Sequence, residues 1–264
     1  MGGTLRRFGD VEPADVPAAL AAMHRRLAVG TTVELEFDVA PSGARTPTAD
    51  RRWPIELAEA LVEGAGFDEI TSTRLGGIVG VRARRARSLA DTVGGGLRLL
   101  ICGLNPSLYA ADRGVAFARP GNRFWNAVVA AGVDSVANRP DLLLQHHGIG
   151  LTDLVKRATA RADELDRSEY EHGLQRIERL VGWLRPGAVC FVGLAGWRAV
   201  VDRRASAGPA TRRLGGAVVY VMPSTSGLNA SSTPASLAAH LRAALALADG
   251  RDPAADPPDP DQPL

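Results

Sequence analysis

Apolar residues recur at helical spacing from Pro13 to Ala28, with the prolines confined to the first turn, which predicts a helix there. Thr31 to Val39 alternates apolar and polar residues as a half-buried strand does. Ala40 to Arg52 is a loop rich in Pro, Gly, Ser and Thr. Pro54 to Ala65 is amphipathic and stops at Gly66, a second helix, and Ile70 to Ala83 reads as a hairpin turning at Gly76-Gly77. Ser88 to Asp91 then runs into Thr92-Val93-Gly94-Gly95-Gly96, expected to be a flexible joint.

Beyond the joint the pattern changes to β–α–β–α–β–α. Ala188–Val192 and Ala217–Val221 are short continuous apolar runs, and Leu97–Cys102 is one broken only by Arg98, the pattern of strands buried on both faces; Gly148–Leu151 is a very short fourth. Helices are expected over Asn122–Ala131, from a capping box at Ser168-x-x-Glu171 to Leu184, after Gly193–Gly196, and from Thr233-Pro234 to Ala248. The chain therefore divides into a small α+β module (residues 1–91), an α/β domain with a mostly parallel sheet (97–248) and an acidic Pro/Asp-rich tail (249–264) expected to be disordered.

Composition narrows the function classes. No apolar run approaches the roughly 20 residues of a membrane-spanning helix, and Arg6 and Arg7 have no apolar stretch behind them to make a secretory signal. The two cysteines, Cys102 and Cys190, fall in expected buried strands and suit a reducing cytoplasm. They are too few for a four-thiolate metal or iron–sulfur site, and no metal is expected. Charge is partitioned: residues 1–96 carry 12 Arg against 13 acids, residues 97–247 carry 18 basic against 11 acidic side chains, and residues 248–264 carry one Arg against five Asp. A basic middle is compatible with a polyanionic partner, although an Arg-rich, GC-biased genome would leave the same mark.

Two polar segments follow strands directly: Gly103-Leu104-Asn105-Pro106-Ser107, and Met222-Pro223-Ser224-Thr225-Ser226-Gly227-Leu228-Asn229. Loops at the carboxyl ends of parallel strands are where open α/β sheets bind ligands, so the two are expected to face one cleft. They contain no His base and no carboxylate pair. Asn105 can hold a water by donating and accepting hydrogen bonds, which suits a dissociative reaction with a good leaving group, such as N-glycosidic cleavage. An Asx turn closing a strand would use the same dipeptide. Tyr109 or Phe117 could stack on an extruded base. Phe124 and Trp125 read instead as core anchors of a helix. Gly227-Leu228 is a bulky apolar tip on a hinge that could wedge into a duplex, and Ser224, Thr225 and Ser226 could hold phosphates.

Taken together, Gly103-Leu-Asn-Pro, Gly114-Val-Ala-Phe117-Ala-Arg-Pro-Gly-Asn-Arg-Phe-Trp125, Leu151-Thr-Asp-Leu-Val155 and Pro223-Ser-Thr-Ser-Gly-Leu228 resemble, in their order, the mismatch-specific uracil/thymine DNA glycosylase family of the uracil-DNA glycosylase superfamily. The resemblance implies a three-layer α/β/α fold with a mostly parallel four-stranded sheet. It implies that Asn105 positions the attacking water, that Phe117 stacks on a flipped pyrimidine, that backbone around Leu104 reads its edge, and that Leu228 is the wedge, with Asn229 in the DNA-binding loop. It implies DNA containing uracil or a mismatched pyrimidine as partner, and no cofactor. The chain is expected to act as a monomer. Ser107 stands where relatives often have Gly, and Ala230 where bacterial relatives often carry Arg, which bears on preference for a G opposite the lesion.

Glu56 to Phe67 and Ile70 to Ala83 resemble the C-terminal end of class I S-adenosylmethionine methyltransferases, without a Gly-rich cofactor loop upstream. The module is therefore expected to be a truncated one that binds no cofactor. Two functions remain open from the residues: a monofunctional DNA glycosylase, and a non-catalytic DNA- or lesion-binding protein that retains the fold.

Overall fold

The computed structural model describes residues 4–38, 52–133, 137–227, 229 and 232–252. The expected loop over 40–52 lies outside the described residues apart from Arg52, as do Leu228 and residues 253–264 of the expected tail.

The N-terminal module is a four-stranded sheet in the order β1-β2-β4-β3, formed by β1 (Thr4–Arg7), β2 (Thr32–Phe37), β3 (Phe67–Leu75) and β4 (Ile78–Arg85). Helices α1 (Val16–Arg26) and α2 (Ile55–Gly64) cover it. The β3–β4 hairpin turns where expected, with Gly76 at φ +61°. β1 was not anticipated; four residues are too few to show a period.

The second sheet has five strands in the order β6-β5-β7-β9-β8: β5 (Leu99–Gly103), β6 (Ile149–Asp153), β7 (Ala188–Val192), β8 (Gly208–Leu214) and β9 (Ala217–Met222). Four are parallel, as expected, and β8 adds a fifth, antiparallel to β9 at the edge. Its exposed Gly-Pro-Ala-Thr-Arg-Arg sequence carries little apolar signal because one edge strand needs little.

Alternation along each central strand divides its side chains between two cores. Leu99, Ile101, Ala188, Cys190, Tyr220 and Met222 face α4 (Phe124–Ala130), α5 (Pro140–His147) and α8 (Pro234–Ala248). Leu100, Cys102, Val189, Phe191, Val219 and Val221 face α6 (Arg167–Leu184) and α7 (Leu194–Val200). Helices thus cover both faces, the three-layer α/β/α arrangement. The second core continues into the module, where the ring contacts Phe8–Phe37, Phe37–Trp53 and Trp53–Trp183 connect its sheet to α6.

Three local expectations are corrected. Thr92 both donates to and accepts from Leu151 (2.8 and 2.9 Å), so the joint is paired to β6 at its first residue. Helix α6 begins at Arg167, not after Ser168, because the Glu169 carboxylate accepts the Asp166 N–H at 2.9 Å and is itself held by Arg157. At the other end, Asp249 accepts from Arg98 Nε and Nη2 at 2.5 and 2.6 Å, which fixes the first residue assigned to the tail. No described helix is long and apolar enough to cross a membrane.

Candidate active site

The carboxyl ends of β5, β6, β7 and β9 lie at one edge of the sheet, and β5 and β7 are the neighbours from which the chain departs in opposite directions. A crevice opens at such a point. Here it is a cleft of about 610 Å³ lined by Leu104, Asn105, Phe117, Asp153, Thr159 and Ser224–Ser226 among others.

Asn105 follows β5 directly and precedes Pro106, which disfavours the α conformation there. Its Nδ2 donates to Thr159 Oγ1 at 2.8 Å and to the Arg157 carbonyl at 3.0 Å, with the Pro106 carbonyl a longer third acceptor at 3.3 Å. A backbone carbonyl can only accept, so the amide orientation is determined, and both Nδ2 hydrogens are used. Among the described residues none donates to Oδ1, which leaves that atom to accept from a molecule in the cleft that Asn105 lines. Backbone bonds support this position: Leu154 and Val155 N–H donate to the Gly103 and Leu104 carbonyls, and Thr159 N–H to that of Pro106. Leu104 reaches the cleft, but its carbonyl is engaged by Val155. Ser107 caps α3 (Leu108–Arg113), its hydroxyl accepting the Ala110 N–H at 3.1 Å, which gives Ser at this position a local structural role.

Phe117 adopts φ +57°, a left-handed conformation that costs a non-glycine residue about 1–2 kcal/mol. Its ring stacks on buried Phe124 with centroids 4.0 Å apart. One face is thus occupied by the core while the side chain lines the cleft. Phe124 and Trp125 are core residues, with Trp125 Nε1 donating to the Ala116 carbonyl at 2.9 Å. Tyr109 is not among the cleft-lining residues; it is exposed on α3 and meets Arg113 through both its ring and its hydroxyl.

The second loop is folded around Arg123. That guanidinium donates to the carbonyls of Ser226 (3.0 Å), Asn229 (2.5 Å) and Ser232, and the Arg123 N–H donates to the Thr225 carbonyl at 2.9 Å. Gly227 lies so close to Gly121 that an added Cβ would stand 2.7 Å from its carbonyl oxygen. Asn229 Nδ2 donates to the Ser224 carbonyl and to Ser232 Oγ, so this side chain braces the loop from within. Arg123 had no role in the sequence reading because a surface Arg and a loop-bracing one look alike in one dimension.

Asp153 is the other unassigned residue. The register pairs it with Gly103, so it ends β6 at the level where Asn105 begins its loop. Gly103 leaves space for it: an added Cβ there would stand 2.5 Å from Asp153 Oδ1 and 3.3 Å from Phe117 Cζ. Burial pushes the Asp153 carboxyl up to about 6, with Asp91 adding to the rise and Lys156 and Arg176 opposing it. Behind it, buried Asp91 accepts from Lys156 Nζ (2.7 Å), Thr152 Oγ1 (2.7 Å) and Arg176 Nη1 (2.9 Å). The chain's one lysine is therefore an internal partner of Asp91 and does not line the cleft.

Residues 91–247 match the family model of the uracil DNA glycosylase superfamily. The chain belongs to that superfamily. The superfamily domain thus begins with Asp91 and Thr92, the residues that join the buried polar cluster and the edge of β6. The chain is also similar to a solution NMR structure of a candidate uracil DNA glycosylase from Methanosarcina acetivorans, at 22% identity and a TM-score of 0.43, over 60% of this chain and 97% of that one.

Proposed function

We propose that this protein is a monofunctional DNA glycosylase that hydrolyses the N-glycosidic bond of uracil, or of a mismatched or damaged pyrimidine, after the nucleotide is flipped out of DNA. The observation that carries the proposal is the anchored amide of Asn105, whose Nδ2 is spent on Thr159 and Arg157 and whose Oδ1 remains for a water.

The chemistry matches that inventory. As the glycosidic bond lengthens, the sugar takes on positive charge and the base negative charge, so a weak nucleophile suffices once it is held in place. Asn105 holds that water without deprotonating it. Phe117, backed by Phe124, provides a rigid face for the extruded ring. Ser224, Thr225 and Ser226 line the cleft, with Thr225 buried and the Ser226 N–H donating to Ser224 Oγ. The half-buried Ser224 and Ser226 side chains are therefore the groups of this loop placed to meet a phosphate without reading sequence. Exposed Arg119 at the cleft adds positive charge. Leu228, outside the described residues, keeps its proposed role as the wedge from its place next to Gly227. The mismatch-specific class is part of the proposal and rests on the motif order.

The test uses end-labelled oligonucleotides with one central uracil, as G·U, A·U and single strand, treated with alkali after incubation. Alkali-dependent cleavage by the wild type, lost in Asn105→Ala, is the expected result. Binding of the G·U duplex with no cleavage would assign the protein to the non-catalytic alternative.

A further inference from the structure

The floor of the cleft holds a carboxyl group that the water-positioning chemistry does not use. Among the described residues none donates a hydrogen bond to the Asp153 carboxyl, although the residue is buried and its neighbours Thr152, Lys156 and Arg176 all bond to Asp91. Arg176 Nη2 donates to the Asp153 backbone carbonyl at 2.6 Å and to Thr152 Oγ1 at 3.0 Å, and not to the Asp153 carboxyl. The side chain is directed to the cleft, beside Gly103 and the edge of the Phe117 ring. A group left without an internal donor at the place where a stacked base would sit has a ligand as its natural partner.

We propose that Asp153 is a catalytic acid, donating its proton to a keto oxygen of the base as the glycosidic bond breaks. This rests on the glycosylase reading above. The electron pair of the C1′–N bond passes into the base, where it is shared with the keto oxygens. The Asp153 proton moves to one of them, and the base departs as a neutral enol that returns to its keto form in water. The water held by Asn105 adds its oxygen to C1′ and releases one proton, which returns Asp153 to its acid form. Atoms and charge balance without a further reactant.

The surroundings make that carboxyl hold its proton more tightly than it would in water. Burial disfavours the carboxylate, and Asp91 on the segment before β5 disfavours it further. Lys156 after β6 and Arg176 on α6 are the cations that face it, and both are bonded to Asp91. Cys102 on β5 is held well above its ordinary range, so it adds no charge. The resulting value of about 6 places Asp153 where a general acid serves near neutral pH, and a base closing over the cleft removes more water and raises it further. The ionised form would instead repel the keto oxygens.

Two measurements test the proposal. In the first, single-turnover excision of uracil from a G·U duplex is followed from pH 5 to 9 for wild type and Asp153→Asn. The wild-type rate is expected to fall tenfold per pH unit on the alkaline side. The variant keeps a donor of the same size but cannot release a proton; it should be about 10²-fold slower at the acid end and lack that limb. A flat wild-type profile, or a variant with the wild-type profile and rate, overturns the proposal. In the second, affinity for a duplex carrying non-hydrolysable 2′-fluoro-2′-deoxyuridine is measured over the same pH range. Tighter binding at low pH in wild type and in Asn105→Ala, lost in Asp153→Asn, is expected. Should wild type cleave nothing, the glycosylase reading fails; Asp153 as proton donor to the bound base then stands only if this linkage is seen, and its absence overturns it.

Discussion

Asn105 Nδ2 and Thr159 Oγ1 lie 2.8 Å apart, joining residues 54 positions distant and holding in place an amide whose orientation the Arg157 carbonyl dictates. Removing this acceptor should loosen the amide, leaving it to the Arg157 carbonyl and the longer Pro106 contact. Thr159→Val is expected to lower the single-turnover excision rate about three- to tenfold, the range of one net hydrogen bond. Affinity for uncleaved DNA should hardly change, and Thr159→Ser should restore most of the rate. A valine variant with the wild-type rate would show that the contact does not position the amide.

Arg123 should govern the Ser224–Asn229 loop without touching DNA. It collects carbonyls from Ser226, Asn229 and Ser232, a task suited to a planar fork of donors and not to an ammonium. Arg123→Ala and Arg123→Lys are both expected to weaken DNA binding, the alanine variant by about tenfold, with no change in the slope of affinity against salt, because no phosphate contact is removed. Fluorescence anisotropy at several salt concentrations checks this. A slope shallower by about one unit would mean that Arg123 itself meets a phosphate.

The Asp91 cluster should decide stability. Asp91, Lys156 and Arg176 are all nearly or fully buried, and Asp91 is the carboxylate that both cations share. Asp91→Ala leaves two buried cations without their partner and is expected to cost about 3–5 kcal/mol, read as a lower denaturant midpoint. A loss below about 1 kcal/mol would mean that water replaces the carboxylate.

Asp153 should link stability to pH with a sign opposite to that of a salt-bridged carboxylate. Its folded value, raised to about 6, exceeds the ordinary 3.8, so the folded protein binds the proton more tightly. The stability it contributes is full below pH 4, declines between pH 4 and 6, and is absent above. Asp153→Asn, which never ionises, is therefore expected to match the wild type near pH 4 and to be more stable at pH 8, by on the order of 1–3 kcal/mol. Chemical denaturation at the two pH values measures the difference. Equal stability at pH 8 would place the folded value of Asp153 near that of the unfolded chain.

Most of the fold and part of the site could be read without coordinates, for identifiable reasons. Continuous apolar runs such as Ala188–Val192 and Ala217–Val221 are legible because strands buried on both faces leave no polar gaps. Asn105 stood out because Asn-Pro directly after such a run places an amide at a strand end. Tyr109 was grouped with the cleft by proximity in sequence alone, and α3 carries it to the surface beside Arg113. Asp153 was passed over because β6 was read as ending at Leu151; two more residues of strand bring it level with Gly103.

The parallel strands of the second sheet, most of the helices on its faces and the two loops at its edge were legible in the sequence by itself, because they follow from local periodicity and turn chemistry. β1, β8, α3 and α5 were not. Only the tertiary structure decided which end of Asn105 faces the cleft, that Arg123 braces the second loop, and that Asp153 lies beside Gly103 and Phe117. Those facts depend on register between β5 and β6 and on partners dozens of residues apart. Local pattern carries no record of such distances; packing sets them.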